Sequence, residues 1–486
     1  MTTEQGPQVR RWRAFAVLAV AYFMTIVDLT IVNVSLPTIG RALHFSESNL
    51  QWVVTAYGIT FGGFLLLGGR AADLLGRRRI FMLGLAVFTA ASLGAGLARN
   101  DGLLIALRGL QGFGAAVVLP AALSIVMNMF AEGAERNKAL GLWGAIGASG
   151  ATFGLITGGL LTRYVGWEYI FFLNVPVGAA GLLLAPRIVP ESRLQTARRR
   201  FDPLGAVAVT GGLLLVVYGI SNAPQVGWGS ARTIALLAVS AALLLAFLVI
   251  EARAVAPLMP LRIFRLRMVA VANAVGLLLG GGFFAFVFIG TLYMQQVLHY
   301  SALQAGTAWL ATSVTSVALA GASQQLVTRI SAGPVMALGM AMIGGGIVWA
   351  TQVPVHGHFW SALAGPFFVV GAGTAFAFVP VSIGGLAGVA AHEAGLASGL
   401  INTSQQLGGA IGVAIASTVA ATHLSTLLGE GKPANVALTG GFHWALWVCG
   451  AIALLALPAT VTLRRSTKVP AGLDRAVPAL QRSGKS

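Results

Sequence analysis

The chain of 486 residues holds a single cysteine, Cys449. One cysteine cannot close an intramolecular disulfide, form a CxxC redox pair or build a cysteine metal cluster. Charge is scarce too, at 9% of residues against about 25% in ordinary soluble domains. Acidic residues are the rarer sign, 14 against 31 basic. All seven histidines fall in loops or at the ends of apolar runs, which excludes a relay of buried imidazoles. His356 and His358 lie close together but have no third ligand nearby, so no metal site is expected. An enzyme would need a nucleophile with a base, or a metal cluster, inside the apolar runs, and neither is there. No enzymatic activity and no bound cofactor is expected. The net charge of +17 does not mark a nucleic-acid partner, because that reading needs a basic face on a soluble domain.

What is present is apolar: 57% of residues are hydrophobic, and 63 glycines are spread through the apolar runs. A membrane-spanning helix needs about 20 apolar residues. Fourteen runs meet that need, at 14–36, 51–69, 79–98, 103–128, 139–163, 168–189, 204–222, 232–251, 269–294, 302–327, 335–352, 359–382, 395–421 and 443–463. The first follows Arg10, Arg11 and Arg13 but lacks a small-residue cleavage site, so it reads as a retained helix rather than a signal peptide. The lipid bilayer is the first partner implied.

The positive-inside rule checks the count independently of hydrophobicity. With the N-terminus in the cytoplasm, only Arg41, Arg99, Arg163, Arg232 and Lys432 fall in outside loops and only Arg108 within a run. Every other Lys and Arg falls on the cytoplasmic side. Two basic linkers, "RIVPESRLQTARRRFDP" (187–203) and "EARAVAPLMPLRIFRLR" (251–267), bracket the seventh and eighth runs. The expected fold is therefore all-α: a cytoplasmic tail at 1–13, a six-helix bundle at 14–189, linkers with two inserted helices at 190–267, a second six-helix bundle at 268–463 and a cytoplasmic tail at 464–486. Six-helix repeats are the architecture of rocking transporters, with the site near the midplane between them.

Between the second and third runs stands "GGRAADLLGRRRIFMLG" (68–84). Gly69 and Gly76 permit a tight turn, Asp73 can accept hydrogen bonds from a neighbouring helix N-terminus, and Arg77, Arg78 and Arg79 hold the loop in the cytoplasm. This stretch resembles the loop signature of the major facilitator superfamily. "DLTIVNVSLP" from Asp28, "LRGLQGFGAA" (107–116), "GWEYIFFLNVPVG" (166–178), "LYMQQVLHYSALQAG" (292–306) and "GLASGLINTSQQLGGAIG" (395–412) are similar to stretches of its fourteen-spanner drug:proton antiporters. In the fifth run, "GAIGASGATFGLITGG" (144–159) places Gly147, Gly150, Gly154 and Gly158 on one face, followed by Gly159, and resembles the antiporter motif of drug exporters. That motif has proline where this chain has Leu155. A plain packing stripe is the other reading of these glycines.

The residue that most needs explaining is Asp28, in the middle of "FMTIVDLTIVNVSLP" (23–37). A carboxylate at the centre of a membrane helix costs about 3 kcal/mol on insertion scales. On a helix Thr25, Asp28, Val32 and Ser35 share a face, which the family fold would turn toward the central cavity. Protonated Asp28 tolerates a dry interior and ionised Asp28 needs water or a cation, so a proton there can bias the conformation. Arg108, the only intramembrane cation, stands one turn before Gln111 and next to the motif glycine Gly112. Two roles are open to it: partner of Asp28 or substrate, or donor to backbone carbonyls.

The resemblance implies a cavity lined by the first, fourth, ninth and twelfth helices, with Tyr22, Thr25, Phe284, Tyr293, Gln296, Phe376 and Phe378 as candidate contacts for an amphiphilic ligand. The second half has no acid within its runs, which favours neutral or singly charged compounds. Together these imply a monomeric exporter of amphiphilic drugs or antibiotic-like compounds in the bacterial cytoplasmic membrane, exchanging them for protons by alternating access. A uniporter or nutrient importer on the same fold is the alternative, since fold motifs are shared across functions.

Overall fold

The computed structural model describes residues 5–45, 50, 52–131, 134–192, 202–254, 257, 259–355, 357–390 and 393–461. Among them every regular element is helical. A helix satisfies its backbone N–H and C=O groups within one segment, which a hydrocarbon surrounding demands. In chain order the helices are α1 (Gln5–Ala42), α2 (Trp52–Leu75), α3 (Arg77–Gly96), α4 (Asp101–Met129) and α5 (Ala134–Tyr164). Next come α6 (Tyr169–Phe172 and Asn174–Ile188), α7 (Pro203–Val226), α8 (Ala231–Arg253) and α9 (Arg267–Gln296). The last are α10 (Ala302–Ala308 and Leu310–Ile330), α11 (Ala332–Trp349), α12 (Ala364–Gly384), α13 (Ala394–Gly429) and α14 (Ala434–Leu454). The break in α6 precedes Pro176, whose missing N–H leaves the Phe172 carbonyl without its helical donor.

Twelve of these helical segments are long and apolar enough to cross a membrane. The other two long ones, α5 and α10, hold the fifth and tenth places of the fourteen expected from sequence. Helix α10 carries Ser, Thr and Gln along its length, and α5 begins on Glu135, Arg136 and Lys138.

Helices α1 to α6 pack chiefly among themselves, through α2 on α4, α3 on α4 and α1 on α5. Helices α9 to α14 do the same, through α9 on α13, α11 on α12 and α10 on α12. The two groups meet where α2 and α4 touch α13, and where α5 touches α10 and α12. Glycine makes the first contact close. A Cβ on Gly69 would run into the Gly395 carbonyl, and one on Gly399 would lie 2.9 Å from the Leu65 carbonyl oxygen.

The inserted α7 packs on both α2 and α13, and α8 packs on α7. At one end Tyr218 stacks on Trp52 of α2 at 5.5 Å; after α7, the Trp228 indole donates to Thr418 Oγ1 of α13 at 2.8 Å. Of the most apolar stretch of α8 only 17% is buried, so its remaining surface is left for lipid.

The turn between α2 and α3 departs from expectation. Asp73 does not lie in a loop: α2 runs on to Leu75, and Asp73 sits fully buried in its last turn. Gly76 alone makes the turn, at φ 111°, a backbone angle that side chains with a Cβ rarely adopt.

Candidate functional site

Asp28 lies in the N-terminal group of helices at 0% exposure. Its whole face is closed, with Thr25, Val32 and Ser35 buried as well. The sequence reading turned this face toward a central cavity; the structure turns it into the bundle, where α2, α4 and α6 supply polar partners. Arg108 Nη1 of α4 donates to Asp28 Oδ2 at 2.5 Å. Asp28 Oδ1 accepts from Asn174 Nδ2 of α6 at 2.7 Å and from Gln111 Nε2 of α4 at 3.2 Å. Ser92 of α3 accepts from Gln111 at 2.7 Å and its hydroxyl donates to the Phe88 carbonyl at 2.8 Å.

Arg108 is fully buried and fills both roles left open for it. Besides Asp28, its Nε donates to the Val53 carbonyl of α2 at 2.9 Å, and Nη1 also reaches Gln111 Oε1 at 3.0 Å. Its guanidinium lies over the Tyr57 ring, 4.4 Å from the centroid, and the Tyr57 hydroxyl donates to the Thr25 carbonyl at 3.0 Å. The remaining Nη2 is buried without a partner among the described residues. A buried charge is tolerable only when paired and hydrogen-bonded, and here four neighbouring helices share that task.

A second buried pair stands at the far end of α2. Arg77 Nη2 donates to Asp73 Oδ1 at 2.8 Å, and Asp73 Oδ2 accepts the Leu396 backbone N–H of α13 at 3.1 Å. The carboxylate thus meets the positive end of a helix from the other group, where negative charge is favoured. Arg78 donates its backbone N–H to Glu191 Oε1 at 3.1 Å and its guanidinium to the Val189 carbonyl at 3.2 Å.

The motif glycines divide by what they face. Gly147, Gly150, Gly154 and Gly158 of α5 all lie against α1: a Cβ on each would collide with Tyr22, Ile26, Thr30 or Ile31 respectively. A Cβ on Gly159 would meet Leu303 and Val34 of α1 only at 3.7 Å, an ordinary contact distance. Gly112 of α4 lies against Thr60 and the Tyr57 carbonyl of α2. Helix α5 runs unbroken from Ala134 to Tyr164, and the side chain of Leu155 lies outside the described residues.

The candidate substrate contacts are not gathered on one open surface. Tyr22 is buried and stacks on Trp143 at 4.2 Å, and Thr25 is buried with its hydroxyl on the Tyr22 carbonyl. Tyr293 is buried too, its hydroxyl donating to the Pro354 carbonyl at 2.6 Å, while Gln296 is exposed at the last residue of α9. Only Phe284, Phe376 and Phe378 are half-buried faces. Among the described residues no group of three His, Cys, Asp or Glu could hold a metal; His356 lies outside them and His358 is exposed.

Three site residues escaped the sequence reading. Asn174, Ser92 and Tyr57 are polar groups of common type, and each meets the pair through contacts across the bundle. Only Asn174 carried a signal, as a lone amide in "FFLNVPVG".

Comparison with known proteins gives this arrangement a family. The model of the Major Facilitator Superfamily matches residues 18–413. The puromycin resistance protein of Streptomyces alboniger is 36% identical over 94% of this chain and 92% of its own length. The cephamycin export protein of Amycolatopsis lactamdurans is 37% identical over 87% of each chain. A multidrug resistance protein of Mycobacterium tuberculosis is 34% identical over 84% of this chain and 75% of its own. The crystal structure of a human organic anion transporter superposes with a TM-score of 0.66 over 93% of this chain and 99% of its own, at 15% identity, a likeness of fold. The chain is a transporter, not an enzyme, and belongs to the major facilitator superfamily alongside relatives of the drug-efflux type.

Proposed function

We propose that the protein exports amphiphilic drugs or antibiotic-like compounds across the bacterial cytoplasmic membrane in exchange for protons. The relatives' names support export of such compounds, and the buried Asp28–Arg108 pair supports the proton coupling. In this reading α5 and α10 are spans like the other twelve, both termini are cytoplasmic, and the protein works as a monomer. Residues 14–189 and 268–463 form the two rocking bundles and 190–267 carries the inserted pair.

The pair is the observation that carries the proposal. Ionised Asp28 and Arg108 cancel one another inside the bundle. A proton on Asp28 removes one charge and leaves Arg108 uncompensated, a state that costs about 3–5 kcal/mol when a buried pair is broken. That cost falls if water or another anion reaches Arg108, which requires the surrounding helices to move. Proton binding therefore favours whichever conformation opens this site, and a ligand that favours the other conformation drives the proton off. Arg108 and Gln111 act in this scheme as partners of the carboxylate, Asn174 as a further donor to it. Gly69, Asp73, Gly76, Arg77 and Arg78 form the cytoplasmic latch, while Gly112 and the α5 glycines let helices slide past one another. Phe284, Phe376 and Phe378 offer aromatic surface to the ligand and Gln296 an exposed amide, with Tyr22, Thr25 and Tyr293 becoming available as the bundles move.

The experiment is uptake of an amphiphilic fluorescent drug by inside-out vesicles holding the purified protein, with and without an imposed pH gradient. Accumulation that follows the gradient supports exchange. Equal rates at zero gradient and under it point to the uniporter and remove the proton from the mechanism.

A further inference from the structure

At one end of the N-terminal group, a cavity of about 700 Å³ opens between the start of α1, the end of α4 and the end of α6. Its polar lining is Arg10, Arg11, Asn128 and Ser192. Its apolar lining is Met129, Ile188 and Pro190, with the buried Ala14 and Ile125 one turn further along α1 and α4. The cavity thus combines a basic, polar wall with an apolar one. Both arginines are exposed, and the ion pairs among the described residues engage Arg77, Arg78, Arg79, Arg108 and Arg262 but neither of these two. Glu191, beside the lining residue Ser192, already faces Arg78 and Arg79. Ser192 is held in place by Arg77, whose Nη1 donates to its hydroxyl at 3.3 Å.

We propose that this cavity binds the headgroup of an anionic phospholipid of the cytoplasmic leaflet, with Arg10 and Arg11 on the phosphate and the upper acyl chain against Met129, Ile188 and Pro190. The volume is that of a small-molecule site, about 300–1,000 Å³, and holds a headgroup with the first part of its chains rather than a whole lipid. Helix ends set the level of the membrane surface, so the arginines stand where phosphates lie and the apolar wall beside them meets the start of the acyl chains. Basic pockets between helices on this side are suited to anionic headgroups, whereas a zwitterionic headgroup brings no net charge to them. The proposal rests on the sidedness given above, but binding in detergent solution does not depend on it or on transport.

The test is native mass spectrometry of the full chain in neutral detergent, titrated with dioleoyl phosphatidylglycerol, with dioleoyl phosphatidylcholine, or with inorganic phosphate. The wild type retains phosphatidylglycerol in preference to phosphatidylcholine, and the Arg10→Ala/Arg11→Ala variant binds it about 30-fold more weakly. Arg10→Lys/Arg11→Lys keeps most of the preference, because it keeps the charge. Arg13→Ala leaves binding unchanged: Arg13 is exposed on the same helix turn but does not line the cavity. Equal binding of the two lipids, an unchanged double-alanine variant, or equal loss in Arg13→Ala overturns the proposal. Binding of inorganic phosphate as tight as that of the lipid replaces the headgroup site with one for a free anion.

Discussion

The two groups of six helices build similar turns from different chemistry. Between α2 and α3 the chain reverses at Gly76, φ 111°. Between α10 and α11 it reverses at Ser331, φ 81°, ψ 165°, in a region nearly confined to glycine. Three residues before each turn stand Asp73 in the first group and Thr328 in the second. The first turn is a buried charge cluster tied to α13; the second carries no acid. The same contrast runs through both groups. Asp28, Asp73, Arg77 and Arg108 are buried in the N-terminal one, whereas from α9 onward the only buried charged residue described is Glu393, at the N-cap of α13. The buried polar groups there are hydroxyls and amides such as Asn273, Thr312 and Ser398. Charge that can be cancelled by one proton is thus concentrated on one side of the molecule. Apart from Glu393 the other group buries no charge, which under the proposed function suits a surface for varied amphiphilic ligands.

The largest break in this asymmetry comes from Arg108→Leu. It strands Asp28 in the bundle, with an expected loss of about 3–5 kcal/mol in unfolding free energy measured by detergent titration. The double variant Asp28→Asn/Arg108→Leu should recover part of that loss, and no recovery would mean that the two groups are not coupled. Asp73→Asn comes next, at about 2–3 kcal/mol, since it weakens charge-assisted bonds to Arg77 and to the Leu396 N–H. Gly154→Ala should cost about 1–3 kcal/mol by collision with Thr30 and the Val27 carbonyl, while Gly159→Ala stays within about 0.5 kcal/mol. Similar costs at both sites would contradict the assignment of the stripe to α1. One further effect has the opposite sign. Ser331→Gly should stabilise by about 1 kcal/mol, because relief of backbone strain exceeds the added chain entropy, and a thermal shift assay reads the change.

The sequence revealed the elements of this account unevenly. The run lengths located the twelve helices that are long and apolar enough to cross a membrane, because a span must be apolar along its whole length. The isolated acid and the isolated base inside such runs named Asp28 and Arg108, since both are expensive there. Their surroundings were not legible. Asn174 and Gln111 lie 146 and 83 residues from Asp28, and a single amide in an apolar run does not announce which helix it faces. Asp73 was misplaced for a different reason. Its charge, with Arg70 and the arginines after it, lowers hydropathy at the end of α2, although pairing lets the helix continue buried to Leu75. The aromatic candidates failed to converge because aromatic residues in membrane helices serve packing as often as ligands, as Tyr22 on Trp143 illustrates.

The central claim, that Asp28 carries the coupled proton, is tested most directly by proton release from reconstituted vesicles when an amphiphilic drug is added under an imposed pH gradient. Asp28→Asn keeps the shape and a hydrogen-bonding group while removing the titrating one. Drug-dependent proton movement in the wild type that disappears in the variant, with drug binding retained, is the predicted result. Equal movement in both would contradict the account and reduce the Asp28–Arg108 pair to a structural tie between helices.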